Sequence, residues 1–139
     1  MFTKSILMLF ITICLINVSY ANNHETYLCI ASKATGFSFD LKRKNWNVSD
    51  FHVDNEKKLI EKVKGQWYWK KFGLKDRHSC KETILGTVTC TFEKDPISTL
   101  KFNIKTMRYI FSDLGAYYYG DTDGTPYIEI GTCTHIDLK

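Results

Sequence analysis

Leu100-Lys101-Phe102-Asn103-Ile104 alternates apolar and polar side chains over five residues, and Met107-Arg108-Tyr109-Ile110-Phe111 follows across a two-residue gap. Period-two alternation gives each segment one face for a core and one for water, so the pair reads as a β-hairpin. The same signature recurs outward in both directions. Downstream, Asp121-Thr122-Asp123-Gly124 is a turn and Tyr127-Ile128-Glu129-Ile130 a closing strand before Gly131. Upstream, Asp95-Pro96 marks a turn, because the residue before proline is pushed out of the helical region. Ile84 to Phe92 belongs to a second hairpin, and Gln66 to Phe72 places Trp67, Trp69 and Lys71 on one face before Gly73 ends it. Tyr27 to Ala31 and Phe37 to Asp40 read as two strands around Thr35-Gly36, with Phe37 and Phe39 on one face. Trp46 ends a short third segment. From Phe51 to Lys64 two patterns compete: Leu59, Ile60 and Val63 have helical spacing, whereas Leu59, Glu61 and Val63 alternate as a strand does, and the strand reading is preferred.

About eight short strands separated by turn signals predict an all-β fold, a single-domain antiparallel barrel or sandwich. Composition agrees: the 139 residues include nine Phe, eight Tyr and three Trp against two Pro, which suits pleated, half-buried surfaces. The length allows one domain with its own core.

The amino terminus reads as a leader. Lys4 precedes the apolar run Ile6 to Ile16, which falls short of the ~20 residues a spanning helix needs, and Ser19-Tyr20-Ala21 offers the small residues read by a signal peptidase. Cleavage after Ala21 predicts export to the periplasm or beyond and a mature domain of residues 22–139 with no membrane span. In that oxidising setting Cys29, Cys80, Cys90 and Cys133 form two bridges. Four cysteines allow three pairings. Cys80 and Cys90 flank Ile84-Leu85-Gly86-Thr87, a stretch able to turn a hairpin, which favours Cys80 with Cys90 and leaves Cys29 with Cys133 to tie the first strand to the last. A zinc site would want close Cys-x-x-Cys pairs, and none occurs.

Charge is unevenly spread. The span from Lys42 to Arg77 carries eleven Lys and Arg against five Asp and Glu, whereas Tyr109 to Asp137 carries five acids and no Lys or Arg, so one face attracts anions. Lys42, Arg43, Lys44, Trp46, Trp67, Trp69, Lys70 and Lys71 interleave cations and rings and are the candidate binding residues; the competing reading is ordinary alternation of core rings and solvated lysines. Tyr118 joins them. Within Tyr117-Tyr118-Tyr119 a strand puts the outer two residues on one face and the middle one on the other, so at least one ring is exposed, either for binding or for a hydroxyl bond at barrel closure.

Catalytic signatures are sparse. Asp121-Thr122-Asp123-Gly124 begins like a calcium loop, but Thr125-Pro126 follows and no glutamate stands at the twelfth place. The histidines, His24, His52, His78 and His135, show no metal-ligand spacing. Glu129, Arg108 and His135 are the nominees if the chain were a small hydrolase of phosphodiesters, although their spacing supports nothing. No phosphate-cradling glycine loop or nucleophile elbow is present, and no cofactor is expected.

Tyr27-x-Cys29-x-Ala31, Thr35-Gly36-Phe37-x-Phe39, Trp46 and Thr125-Pro126-Tyr127-Ile128-Glu129-Ile130-Gly131-x-Cys133 resemble small exported bacterial proteins without assigned function. The likeness covers both ends of the domain and matches Asn47 to Arg77 loosely. It implies an envelope or secreted setting and transfers no functional residues. In that setting Asn47-Val48-Ser49, formally a glycosylation acceptor, is an accident of sequence; in a eukaryotic secreted protein it would mark a surface loop. The expectation is an exported, inhibitor- or immunity-like binding module for a protein or a polyanionic envelope component, rather than for nucleic acid. A small secreted hydrolase and a lipocalin-like ligand barrel are the alternatives.

Overall fold

In the computed structural model, which describes residues 24–53, 56–92 and 95–137, the described residues form nine strands and one short helix. They are β1 (His24–Asp40), β2 (Asn45–Phe51), β3 (Lys57–Val63), β4 (Gln66–Lys71), β5 (His78–Glu82), β6 (Thr87–Phe92), β7 (Asp95–Asn103), β8 (Arg108–Asp113), α1 (Gly115–Tyr119) and β9 (Tyr127–Ile136). Residues 1–21, expected to be a leader, lie outside the described residues.

From β3 to β9 each strand pairs antiparallel with the next, and β1 bonds both β3 and β9. Eight strands therefore close into a barrel, which settles the choice between barrel and sandwich. β2 stands outside the ring. β1 reaches both partners because it is 17 residues long: His24 to Ile30 pair with β3, Ala34 to Asp40 pair with β2, and the opposite edge carries β9.

The two segments expected around Thr35-Gly36 are thus one continuous strand. Gly36 is there for a close approach, not a turn: a Cβ would lie 2.1 Å from the Pro126 carbonyl oxygen, which accepts the Phe37 N–H at 2.9 Å. A register shift between Ala31 and Lys33 bends the strand into the barrel wall. Trp46 is the second residue of β2 instead of ending a segment. The ambiguous stretch before Lys64 is a strand, and Lys64 (φ 51°) with Gly65 (φ 83°) makes the two-residue, positive-φ turn into β4. The tyrosine run departs from its strand reading: Tyr117 to Tyr119 lie on α1, which ends at Gly120 (φ 76°). The chain crossing between β8 and β9 closes its hydrogen bonds locally, the Tyr118 N–H donating to the Leu114 carbonyl at 3.1 Å and the Asp121 N–H to the Ala116 carbonyl at 2.8 Å.

Alternation decides what lies inside. Tyr27 and Cys29, Ile60, Trp67 and Trp69, Cys80, Val88 and Cys90, Leu100 and Phe102, Tyr109 and Phe111, and Cys133 point inward and are buried. Both bridges pair as expected and join residues directly opposite each other on neighbouring strands, Cys29 with Cys133 and Cys80 with Cys90, at Cα separations of 3.9 and 4.1 Å. Rings fill the remaining volume: Tyr27 contacts Phe102 and Trp67, and Trp69 contacts His78, Phe92 and Phe111, with centroids 5.1 to 6.0 Å apart.

Candidate functional site

Beyond the barrel wall, the outer half of β1 and β2 form a two-stranded ribbon. Phe37 is paired with Val48 and Phe39 with Trp46, so all four side chains share one face. The Trp46 ring sits 5.2 Å from Phe39 and 5.7 Å from Tyr117 of α1. Between ribbon and helix lies an open, largely apolar cleft of about 480 Å³ lined by Phe37, Trp46, Leu114, Tyr117 and Pro126. Tyr117 is 62 % exposed and Phe37 44 %. At the ribbon tip the Asp40 carboxylate accepts the backbone N–H groups of Lys42 and Arg43 at 2.9 and 3.1 Å. That Asx turn leaves the side chains of Lys42, Arg43 and Lys44 in solvent.

The candidate binding residues are therefore divided. Lys42, Arg43, Lys44 and Trp46 lie on the ribbon, and exposed Tyr118 lies on the adjoining helix. Trp67 and Trp69, expected as stacking rings, are core residues at 2 % and 3 % exposure and present no face to a partner. The strand rule located them correctly, but closure of the sheet put their face inside. Lys70 projects from the outer wall 3.0 Å from Glu61, and Lys71 is exposed at the end of β4. Sequence reasoning missed Phe37, Tyr117, Leu114 and Pro126 as site residues: Phe37 reads as one face of a strand and Tyr117 as part of a tyrosine run, whereas Leu114 and Pro126 carry no chemical signature and join the site only because two loops meet there.

The hydrolase nominees are not assembled. Arg108 is exposed, on the opposite face of β8 from buried Tyr109, whereas Glu129 is 1 % exposed inside the barrel and engaged by Lys58 and Tyr109. His135 is six residues further along β9, roughly 20 Å at strand rise, and partly exposed beside Asp137. In the Asp121-Gly124 turn, the Asp121 carboxylate accepts the Asp123 N–H at 2.9 Å. Among the described residues no group of three or more His, Cys, Asp or Glu is placed to hold a metal ion.

Charge nevertheless enters the barrel. Lys58 Nζ donates to Glu129 Oε1 at 2.5 Å, Tyr109 donates its hydroxyl to the same oxygen at 2.5 Å, and the ammonium lies 5.0 Å from the Phe111 ring centre. Burial, then the bond to Glu129, pushes the Tyr109 hydroxyl far above the usual tyrosine range. Burial and then Glu129 raise Tyr127 as well. Toward the other end of the barrel Trp67 Nε1 donates to Glu82 Oε2 at 2.7 Å and Lys62 to the same oxygen at 3.3 Å. These contacts, the tryptophan first, hold the Glu82 carboxyl below its ordinary value. Burial, then the bond to Glu25, pushes Tyr27 up to about 12.

Raised tyrosines make an alkaline prediction. Each of the three folded-state values lies above the unfolded value of 10, so their contribution is complete below pH 10 and drains away as pH rises above it. Ultraviolet tyrosinate absorbance should show Tyr27, Tyr109 and Tyr127 ionising together with loss of the near-ultraviolet circular dichroism signal. Reversible ionisation of all seven tyrosines of residues 22–139 with that signal intact would contradict it.

Fold and site define a class: an eight-stranded antiparallel meander barrel with both disulfides inside it and an external two-stranded ribbon bearing an aromatic cleft. No family model, curated protein or solved structure matches the chain.

Proposed function

We propose that this protein is an exported binding module that holds a partner protein in the Phe37–Trp46–Tyr117 cleft, in an inhibitor- or immunity-like role. The observation that carries the reading is the contrast between a barrel interior packed with rings and a cleft outside it where large aromatic side chains stay exposed. Exposed apolar surface rimmed by charge is characteristic of interaction sites. The basic turn Lys42-Arg43-Lys44 at the ribbon tip favours a partner whose anchoring apolar side chain is flanked by acids. Two bridges suit an oxidising compartment, and no helix among the described residues is long and apolar enough to cross a membrane. Export and the bacterial envelope setting belong to this proposal. A packed interior weighs against a lipocalin-like pocket, and the separation of Glu129, Arg108 and His135 weighs against the hydrolase.

Capture from the native envelope by immobilised mature domain tests it. A specific partner should be retained by the wild type and by Leu85→Ala, a substitution in the β5–β6 turn. Retention should weaken about thirtyfold in Trp46→Ala or Tyr117→Ala, the effect of losing one interface anchor. Equal retention by all four proteins would reject the cleft. Heparin binding that falls steeply with salt and ignores Trp46 would move the reading to a polyanionic envelope component.

A further inference from the structure

β2 is an edge strand. It is hydrogen-bonded to β1 along one side, and among the described residues its backbone makes no bond to any other element. Alternate N–H and C=O groups of an antiparallel strand point away from its partner, so the outer side of Asn45–Phe51 offers an unused ladder. Native edges are commonly blunted by proline, lysine or a bulge. This strand, Asn45-Trp46-Asn47-Val48-Ser49-Asp50-Phe51, contains no proline, lysine or bulge, carries Asp50 as its single charge, and keeps an unbroken register with β1. Val48, near its centre, is 77 % exposed.

We propose that β2 pairs antiparallel with β2 of a second copy of this chain, joining two barrels through a continuous ribbon. The reason for choosing a second copy is the charge at the two ends of the strand. Lys42, Arg43 and Lys44 precede it, with Asp40 of β1 3.9 Å from Arg43, and Asp50 stands one residue before its end, so an antiparallel copy brings the net basic end of each strand to the acid of the other. In a register centred on Asn47, Asn45 lies opposite Ser49 and Trp46 opposite Val48, and Lys44, in the turn just before the strand (φ 53°), comes beside Asp50 of the other copy. The two-fold axis repeats every pair, which makes the contact self-complementary and closed at two copies. A foreign strand would have to supply this complementarity anew. The inference goes beyond the binding role and does not depend on it.

Sedimentation velocity of the mature, oxidised domain tests it, with charge swaps as the specific probe. The wild type should show a concentration-dependent monomer–dimer equilibrium. Lys44→Asp and Asp50→Lys, each opposing like charges twice across the axis, should each weaken self-association about tenfold. Mixed in equal amounts, the two variants should form a heterodimer at wild-type strength, because both pairs are then opposite in sign. Both substitutions lie outside the closed barrel, and unchanged circular dichroism confirms that each variant is folded. A wild type that stays monomeric up to its solubility limit, single variants that dimerise like the wild type, or a mixture that fails to recover would each overturn the proposal.

Discussion

Lys58→Met should destabilise the barrel by about 3–5 kcal/mol, the cost of leaving one member of a buried ion pair without its partner. Lys58 is fully buried and Glu129 is 1 % exposed. Removing the ammonium leaves the Glu129 carboxylate buried without its counter-charge, with the Tyr109 hydroxyl still donating to it. Glu129→Leu should cost a similar amount, because it strands Lys58 and also deprives Tyr109 of its acceptor. The triple replacement Lys58→Met, Glu129→Leu, Tyr109→Phe removes every polar partner at once and should recover most of the loss. Urea unfolding of the three proteins measures this. A triple variant as unstable as the worst single one would mean that the network contributes net stability and is not merely satisfied.

Removing the long bridge should cost more than removing the short one. Cys29 and Cys133 are separated by 104 residues and Cys80 and Cys90 by 10. Chain-entropy reasoning assigns about 4.7 kcal/mol to a loop of the first size and about 3 kcal/mol or slightly less to the second. All four cysteines are buried, so replacing either pair by alanine removes similar interior volume, and the difference isolates the loop term. At roughly 4 °C per kcal/mol for a domain of this size, the Cys29→Ala/Cys133→Ala protein should melt several degrees below the Cys80→Ala/Cys90→Ala protein. Reversal of that order would place the strain or the residual structure of the unfolded chain ahead of loop length.

Legibility differed between elements for physical reasons. The β7–β8 hairpin, the Trp67/Trp69 face and the Cys80–Cys90 bridge were readable because each depends on side-chain period and on a turn within a few residues. β1 was read as two strands because Thr35-Gly36 resembles a turn, and nothing local reveals that Gly36 is needed for the approach of Pro126. The tyrosine run reads as a strand only if alternation is assumed, since three like residues carry no period of their own to tell strand from helix. For the site, Lys42 to Trp46 were legible as exposed cations beside a ring, whereas Trp67 and Trp69 carried the same pattern and ended in the core.

By itself the sequence determined an all-β chain, the inward face of each hairpin, and cysteines placed for two bridges, since alternation and turn chemistry act over a few residues. Only the tertiary structure decided that the sheet closes, that Lys58 meets Glu129 71 residues away, and that Phe37, Trp46 and Tyr117 meet around one cleft. Closure is a long-range event: a lysine is soluble in the interior only where another strand delivers its counter-charge, and that delivery depends on the complete ring of strands.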